Sequence, residues 1–283
     1  DLHVRSRRQR QMCIRDRSQR WTDIRSVINI KVITDQGIVG WGETFGSKET
    51  LDSVASVLKI VIGEDPRFIQ KIWNKLYRET FQGHVFAKSA VYAISALDTA
   101  LYDIVGKAEN KSASEILGGR LRGSIPVYAT GLYYSENYAF EPLIKEAEEH
   151  AINGFKGMKM KIGALTLKED SERVIAVKKT IGDNIKLMFD ANEAYDPINA
   201  VRFSKLVSDI ELEWFEEPCA SRDDKANKYV QANSNIPTSG GESLSTRWDI
   251  VPRMVNNIFD IFQPDICACL LYTSPSPRDL STS

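Results

Sequence analysis

Five short motifs place charged or amide side chains at points where a short apolar segment ends. In chain order they are Lys159-Met160-Lys161, Asp190-Ala191-Asn192, Glu216-Glu217-Pro218, Gly241-Glu242 and Gln263-Pro264-Asp265. Taken singly, each is equally well explained by a helix cap, a surface charge or a pair of exposed lysines. The ordered set is harder to explain in that way, because Asp190, Glu216 and Glu242 follow one another at intervals of 26 residues.

The three acids predict a cation site. Carboxylates that converge in one pocket repel one another strongly unless a positive ion holds them. Ligand sets made only of carboxylate oxygens suit Mg²⁺ or Mn²⁺ rather than zinc. Asp190, Glu216 and Glu242 are therefore predicted ligands of a divalent cation, Mg²⁺ with Mn²⁺ as the alternative.

Two lysines and one further acid flank this predicted site. Lys159 and Lys161 stand two residues apart on a predicted strand, so both side chains point to the same face. Two ammonium groups close together near a metal are expected to lower each other's pKa, so that one accepts a proton near neutral pH. Asp265 adds an acid on the side opposite the lysines. The pattern predicts a metal flanked by candidate bases on both sides.

The elements that must position these residues are six short strands alternating with polar-faced helices. The strands are predicted at Val127–Thr130, Gly157–Ile162, Ile185–Phe189, Leu212–Phe215, Ile236–Ser239 and Ile258–Gln263. Repeated strand–helix units indicate a parallel sheet with helices outside it. A doubly wound sheet is the alternative, but no phosphate-binding glycine fingerprint follows the first strand. Polar residues at the strand ends favour an eight-fold barrel, of which about six strands are present.

The part of the chain before the barrel reads as a small α+β domain. Val27–Thr34 alternates apolar and polar residues, residues 35–37 form a turn, and residues 38–43 return as a second strand. Residues 48–105 then follow a helical period. We therefore predict an α+β capping domain at 18–124 followed by an incomplete (β/α) TIM-type barrel at 125–268.

The two ends of the chain resemble translated sequencing adapter rather than protein. Met12–Asp16 back-translates to ATG TGT ATA AGA GAC, and Cys269–Ser274 to TGT CTC TTA TAC ACA TCT. The second string is the reverse complement of the first read in another frame. A basic tail that binds nucleic acid is the alternative reading of the first segment. We interpret residues 1–17 and 269–283 as adapter-derived and expect no fold from them.

Composition narrows the class of protein. Hydrophobic residues make up 42% and charged residues 27% of the chain, as in ordinary globular proteins. Without the two end segments the formal net charge changes from −1 to −5, which argues against nucleic acid as a partner. The apolar runs are too short for a membrane span, and no signal-peptide pattern opens the chain. The cysteines show no zinc-ligand spacing, and we expect reduced thiols in the cytoplasm.

The ordered motifs resemble the enolase superfamily in its mandelate racemase branch. Three further signals in the capping domain agree, namely Gly40-Trp41-Gly42-Glu43, Ala96-Leu97-Asp98 with Tyr102-Asp103-Ile104, and Leu117-Gly118-Gly119. The resemblance covers essentially all of residues 18–268. It implies Asp190, Glu216 and Glu242 as the metal ligands, with glutamate at the fifth strand favouring this branch over the muconate cycloisomerase type.

The resemblance also implies roles for the remaining residues. Lys161 would be the base on one face of the substrate, and Lys159 would lie beside the substrate carboxylate and help keep Lys161 deprotonated. Asn192 would contact the substrate or groups bound to the metal, and Asp265 would orient a histidine on a seventh strand. A Lys or His base with Mg²⁺ removes a proton next to a carboxylate in this superfamily.

Several activities fit this site. Dehydration of a sugar acid is the first hypothesis, and racemisation or epimerisation of a 2-hydroxy acid is the alternative. A non-catalytic barrel and a Schiff-base aldolase are further alternatives, although neither explains three retained carboxylates together with two lysines. The expected partner is a small carboxylate substrate, with no nucleic acid and no membrane, and the parent enzyme is expected to be a homo-oligomer.

One feature departs from the family pattern. Between the end segments the only histidines are His84 and His150, and both lie in helical stretches away from the strand ends. Neither suits the position of the strand-seven histidine. We therefore expect strands seven and eight to lie outside this chain, and the chain alone to be unable to complete catalysis by the histidine route.

Overall fold

The computed structural model describes residues 5–17, 20–81, 88–135 and 138–266, with side chains from residue 26 onward, residue 81 excepted. The chain forms an antiparallel three-stranded sheet, then a helical region, then a parallel six-stranded sheet with helices between its strands. Among the described residues, no helix combines the length and the apolar character that crossing a membrane requires.

The N-terminal sheet contains β1 (Arg5–Arg17), β2 (Arg20–Ile33) and β3 (Val39–Phe45) in that spatial order. The predicted hairpin is confirmed, since β2 pairs antiparallel with β3 through a turn closed by the amide of Gly37 on the carbonyl of Thr34, 3.0 Å apart. A second backbone hydrogen bond closes the same turn, from the Thr34 amide to the Ile38 carbonyl at 3.0 Å.

Strand β1 corrects one expectation. Residues 7–17 show no strand period in the sequence, but the structure pairs them antiparallel with β2, with register irregularities around Ile14. Backbone hydrogen bonds hold such an edge strand whatever its side chains are, so side-chain alternation does not reveal it. The adapter origin of residues 1–17 and 269–283 stays a prediction, and residues 267–283 lie outside the described part of the chain.

Four helices follow this sheet and complete the capping region. They are α1 (Lys48–Val61), α2 (Ile69–Phe81), α3 (Lys88–Glu109) and α4 (Ala113–Ile116). Strand β3 lies directly on α3, because a Cβ at Gly42 would stand 1.8 Å from the carbonyl oxygen of Ala96. The two glycines of Gly40-Trp41-Gly42 are therefore required by close backbone approach rather than by turn geometry.

The second sheet is the predicted partial barrel. Its strands are β4 (Ala129–Thr130), β5 (Gly157–Lys161), β6 (Lys186–Asp190), β7 (Phe215–Glu216), β8 (Thr238–Gly240) and β9 (Ile261–Phe262). All neighbours pair in parallel and in chain order. The six predicted strands and the incomplete TIM-type barrel are thus confirmed, and five of the strands are shorter than the apolar runs that predicted them.

Five helices connect these strands, and local sequence signals mark where most of them begin. They are α5 (Phe140–Ile152), α6 (Leu167–Ile181), α7 (Pro197–Leu206), α8 (Asp224–Asn233) and α9 (Thr246–Val255). Thr166 and Glu169 form a capping box before α6, and Asp196 caps α7, which has Pro197 at its first turn. These caps satisfy amides that the first turn leaves unpaired, so each helix starts immediately after its strand-end loop.

Two separate hydrophobic cores correspond to the two regions. One lies between β2 and helices α1–α3, and the other lies between the barrel strands and helices α5–α8. The regions touch where Trp248 of α9 stacks on Trp73 and Tyr77 of α2, with ring centroids 5.8 and 4.8 Å apart. The predicted domain limits at residue 124 remain a prediction.

Candidate active site

The site begins with the register of the parallel sheet. Lys161 pairs with Asp190, Asp190 pairs with Glu216, and Glu216 pairs with Ser239 in neighbouring strands. These pairings place four polar residues in one row at the carboxyl ends of β5 to β8, the end at which barrel active sites are built. The row is buried, with Asp190 fully covered and both lysines less than a tenth exposed.

The two lysines of β5 each bind one carboxylate of the row. The Lys159 ammonium donates to both oxygens of Glu216, at 2.7 and 2.8 Å. The Lys161 ammonium donates to Asp190 Oδ2 and, at 2.8 Å, to Asn192 Oδ1. The Asn192 amide nitrogen of the backbone in turn donates to Asp190 Oδ1 at 2.8 Å. The structure therefore brings together five of the seven residues that the sequence selected.

Further donors surround Glu216. The indole of Trp214 donates to Glu216 Oε2 at 3.3 Å, and the Gln263 side-chain amide donates to the same oxygen at 3.1 Å. The Lys159 ammonium also lies 5.9 Å from the ring centre of Tyr128. Sequence reasoning missed Trp214 and the role of Gln263, although both stand within or beside quoted motifs.

Carboxylates dominate the environment of Lys159. Burial disfavours its charged form, but the carboxylates of Glu216 and Asp190 outweigh burial and raise the pKa of Lys159 above its usual value. Each ammonium has a carboxylate as its direct partner, so carboxylates rather than the other lysine are its nearest charges. The prediction that two ammonium groups near a metal lower each other's pKa concerns the site with the metal bound and stays a prediction.

A further buried carboxylate, that of Glu217, lies next to the row. Glu217 is buried, and its carboxylate accepts a hydrogen bond of 2.9 Å from the Ser221 hydroxyl, which also contacts Glu193. Burial, followed by the charges of Glu242 and Asp190, raises the pKa of Glu217 to about 8. Burial and Asp190 likewise raise the pKa of Glu216. Both shifts arise first from burial and then from neighbouring carboxylates, which favour the protonated form of each acid.

Glu242 and Asp265 are close to the row but not in it. Glu242 lies in the loop between β8 and α9, three residues beyond the in-register Ser239, and is half-buried. Asp265 is half-buried and lies three residues beyond the end of β9. Within the described ranges, no three His, Cys, Asp or Glu side chains are arranged to hold a metal ion. The three acids of the predicted ligand set thus share one edge of the sheet without converging on a point.

The donor set nevertheless fits a divalent cation. Three buried carboxylates, those of Asp190, Glu216 and Glu217, and the half-buried Glu242 lie near the ammonium groups of Lys159 and Lys161 in the described part of the chain. Carboxylates gathered in this way are suited to a hard, oxygen-liganded ion such as Mg²⁺. That Asp190, Glu216 and Glu242 would hold this ion stays a prediction.

The strand ends have unusual backbone conformations. Asn192, Glu193 and Glu217 all have positive φ angles, of 44°, 67° and 39°. Non-glycine residues seldom adopt this region, and they do so preferentially at functional sites where the surroundings enforce it. Here the enforcing contact is a backbone hydrogen bond of 2.8 Å from the Glu193 amide to the Glu217 carbonyl. The left-handed turns direct polar side chains back over the strand ends.

His150, the histidine in the described part of the chain, lies away from the row. It belongs to α5, where its Nε2 lies 3.5 Å from Glu146 Oε1 and its ring packs edge-on against Phe155. It is half-buried. His84 lies outside the described residues. The predicted strand-seven histidine has no counterpart among residues 138–266.

Comparison with known proteins defines the class. The family profile described as "Mandelate racemase / muconate lactonizing enzyme, N-terminal domain" matches residues 7–118, and that described as "Enolase C-terminal domain-like" matches residues 142–270. The two profiles correspond to the capping region and the partial barrel of the fold. The chain belongs to the mandelate racemase/muconate lactonizing enzyme family of the enolase superfamily.

Individual relatives include several kinds of enzyme. The chain is 34% identical to D-galactarolactone cycloisomerase of Agrobacterium fabrum, over 87% of this chain and 65% of the relative. It is 32% identical to arabinonate dehydratase of Saccharolobus solfataricus, over 85% and 65%. A racemase from Streptomyces coelicolor, solved with bound magnesium, has a TM-score of 0.87 at 27% identity, covering 95% of this chain and 76% of that structure. The chain thus spans about two thirds of the length of these curated relatives.

Proposed function

We propose that this chain supplies the metal site and one catalytic base of an enzyme that removes the α-proton of a carboxylate substrate. The observation that carries the proposal is the row in which Lys161, Asp190 and Glu216 stand in register on three adjacent strands. Two lysines inside a carboxylate-rich barrel mouth combine a potential proton acceptor with a potential cation site. A purely structural barrel has no need for such unbalanced buried charge.

Each residue has a defined task in this proposal. Lys161, in its neutral form, accepts the α-proton, and Lys159 neutralises charge that develops on the substrate carboxylate. Asn192 holds the Lys161 ammonium through its side-chain carbonyl, at 2.8 Å, and so limits the directions in which Nζ points. Mg²⁺, when bound by Asp190, Glu216 and Glu242, would stabilise the negative charge of the substrate and neutralise carboxylates that otherwise pair with the lysines. Asp265 would orient a histidine contributed by a further strand.

Dehydration of a sugar acid is the reaction we favour. The α-proton passes to the base, the β-hydroxyl departs as water after it receives a proton, and the resulting enol becomes a 2-keto acid. The reaction needs a base that accepts the α-proton and an acid that protonates the departing β-hydroxyl. A lysine on one side of the substrate and a protonated group on the other would meet this need. The identity to an arabinonate dehydratase supports this choice.

A second candidate shares the first step. The chain is slightly more identical to a cycloisomerase than to the dehydratase, and cycloisomerisation differs from dehydration only in that the departing β-oxygen stays attached to the product. Racemisation, which returns a proton to the opposite face, is the remaining alternative, and the likeness to a racemase structure supports it. Cytoplasmic location, homo-oligomeric assembly and a small carboxylate as the only partner are further proposals for the complete enzyme.

The proposal is tested with the complete enzyme and a panel of aldonic, aldaric and 2-hydroxy acids together with lactones of the aldaric acids. A 2-keto product, detected as its semicarbazone by ultraviolet absorption, is expected with Mg²⁺ and is expected to disappear with a chelator. Exchange of the α-proton in D₂O without a keto product would favour racemisation. Rearrangement of a lactone with no loss of mass would favour cycloisomerisation, and absence of α-proton exchange in every substrate would refute the proposal.

A further inference from the structure

An arginine outside the mouth of the barrel binds the backbone of Lys161. Arg173 lies on α6, the helix that follows β5, and only 2% of its surface is exposed. Its Nη1 donates to the Lys161 carbonyl oxygen at 3.0 Å and to Asp170 Oδ1 at 2.9 Å. One guanidinium nitrogen therefore connects a buried acid to the main chain of the proposed base.

The pairing of β4 with β5 explains why the Lys161 carbonyl accepts a hydrogen bond from a side chain. Strands β4 and β5 pair regularly up to the point where the Gly131 amide donates to the Lys159 carbonyl at 3.2 Å. At the next residue, Leu132, φ is 54°, and the regular pairing is disturbed, although the Leu132 carbonyl still accepts the Lys161 amide at 3.4 Å. In a parallel ladder the following amide of β4 would have bonded the Lys161 carbonyl. Arg173 occupies that place, and thus continues the hydrogen-bond ladder by one more residue.

The Asp170 carboxylate and the Tyr134 ring hold Arg173 in place. The Asp170 carboxylate pairs with its guanidinium and also accepts the Gly163 amide at 2.7 Å. The Tyr134 hydroxyl donates to Asp170 Oδ1 at 2.7 Å and accepts from the Ala164 amide at 3.1 Å. The guanidinium carbon lies 3.9 Å from the centre of the Tyr134 ring. The arginine is thus fixed by an acid, by an aromatic face and, through them, by the loop that follows Lys161.

Stability alone does not explain this arrangement. A buried ion pair often contributes no more to stability than apolar residues of the same volume would. What the pair adds is direction, because hydrogen bonds fix the Lys161 carbonyl and the 163–165 loop in a single geometry. A cation on the same helix provides a contrast, since Lys178 Nζ donates to the Ile185 carbonyl at 3.1 Å, before the start of β6 and remote from the row.

We infer that Arg173 is a positioning residue for Lys161, which sets the angle at which the lysine side chain leaves the strand. The inference rests on the proposed function, because Lys161 is the proposed base. Without the bond, the last residue of β5 loses a backbone anchor, and its ammonium leaves Asp190 and Asn192. Arg173 itself has no contact with the substrate side of the strand end and is not a catalytic residue.

The test measures the chemical reactivity of Lys161 in this chain and needs no substrate. Native protein is treated with a trace of isotopically labelled acetic anhydride, denatured, fully acetylated with unlabelled reagent and digested, and labelling is read by mass spectrometry. Lys168, whose side chain is 83% exposed, serves as the internal standard. Arg173→Met is expected to raise labelling of Lys161 about fivefold, the factor for losing one ordinary hydrogen bond. Arg173→Lys is expected to give an intermediate value.

Lys178→Met is the matched control, because it removes an equally buried cation–carbonyl bond from the same helix. It is expected to leave the labelling of Lys161 unchanged. If Arg173→Met does not fold, the Asp170→Asn/Arg173→Met double variant removes both charges together and replaces it. Unchanged labelling of Lys161 in a folded Arg173 variant would overturn the inference, as would an equal increase in Lys178→Met. Because acetylation requires no turnover, either result is independent of whether the proposed reaction is correct.

Discussion

Two clusters of buried charge adjoin strand β5, and they are balanced differently. On the helix side, Asp170 is fully buried, and its two oxygens accept bonds from Arg173, Tyr134 and the backbone. At the mouth, the buried carboxylates of Asp190, Glu216 and Glu217, with the half-buried Glu242 beside them, face the ammonium groups of Lys159 and Lys161, and the pKa of Glu217 rises to about 8. The helix-side cluster pairs one acid with one cation and leaves Arg173 Nη2 without a hydrogen-bond partner, whereas the mouth contains more carboxylates than ammonium groups.

The difference separates two uses of buried charge. A cluster whose opposite charges are paired one to one has no net charge to attract a further ion, so it holds the chain in one geometry. A cluster with surplus charge is incomplete by itself and gains free energy when a cation enters. Both clusters are attached to the same residue, Lys161, one through its carbonyl and the other through its ammonium. Substitutions in the two clusters should therefore have different kinds of effect.

The largest effect is expected from Glu216→Gln in the complete enzyme. Loss of one proposed ligand should lower Mg²⁺-dependent turnover about 100- to 1,000-fold, comparable to the loss of one strong electrostatic contact in a transition state. Glu213→Gln is the matched control, because Glu213 lies just before β7 and pairs with Lys186, whose side chain is 64% exposed. Steady-state assays with Mg²⁺ varied check the prediction, and equal losses in both variants would remove Glu216 from the ligand set.

Asp170→Asn should act on stability instead. Removal of the acid leaves Arg173 buried without its partner, so the free energy of unfolding should fall by about 3 kcal/mol, as for other broken buried pairs. Urea denaturation of this chain measures the change. Glu172→Gln on the same helix is the control, since Glu172 is 53% exposed and 3.8 Å from Lys168, and it should cost less than about 1 kcal/mol. Similar losses would mean that the helix-side cluster is not rigid.

Glu217→Gln should stabilise the metal-free chain at high pH. Between about 4.5 and 8 the folded state keeps a proton on Glu217 that the unfolded state has released, so stability falls as the pH rises through this window. Glutamine does not titrate, so its advantage should grow to about 2 kcal/mol at pH 8, less than the full pKa difference because neighbouring acids titrate with it. Urea unfolding in a chelator at pH 5 and pH 8 tests this.

The exposed Glu211 provides the control for that titration, and Glu211→Gln should leave the pH dependence of stability unchanged. Parallel pH profiles for the parent chain and Glu217→Gln would show that the mouth of the barrel has no surplus charge. The two clusters would then not differ in charge balance as described.

The smallest effect is expected from Tyr134→Phe. The substitution removes the hydroxyl that bonds Asp170 and the Ala164 amide but keeps the aromatic face under Arg173, so a loss of about 1 kcal/mol is expected. Thermal unfolding measures it, with Tyr229→Phe as the control because the Tyr229 side chain is largely exposed. A loss as large as that of Asp170→Asn would place the tyrosine, rather than the ion pair, at the centre of the cluster.

Much of the fold was predictable because its signals are local. Six apolar runs at regular intervals predicted six strands, and each run contains or adjoins a strand of the sheet. The alternation of residues 27–34 and the turn at 35–37 likewise predicted the hairpin of β2 and β3. Strand β1 was not predictable, because the backbone hydrogen bonds that pair it with β2 leave no pattern in side chains.

The candidate site was predictable to a different degree for each residue. Lys159, Lys161, Asp190, Asn192 and Glu216 stand together, because strand register follows from the apolar segments before them. Equal spacing of 26 residues suggested that Glu242 belongs to the same row, but register places Ser239 there and Glu242 in the following loop. The pairing of Lys159 with Glu216, which raises the pKa of Lys159, was not predictable, because distances to carboxylates depend on side-chain positions that sequence does not contain.

The sequence by itself determined the order of the strands, the acids and lysines at their ends, and hence the family to which the chain belongs. These properties depend on periodicity and on neighbours along the chain, which any reading of the sequence contains. Only the tertiary structure decided that Arg173 completes the hydrogen-bond ladder at Lys161, and that surplus charge gathers at the mouth rather than on the helix side. Both depend on where side chains lie in the folded chain, because hydrogen bonds and charge interactions act over a few ångströms of space.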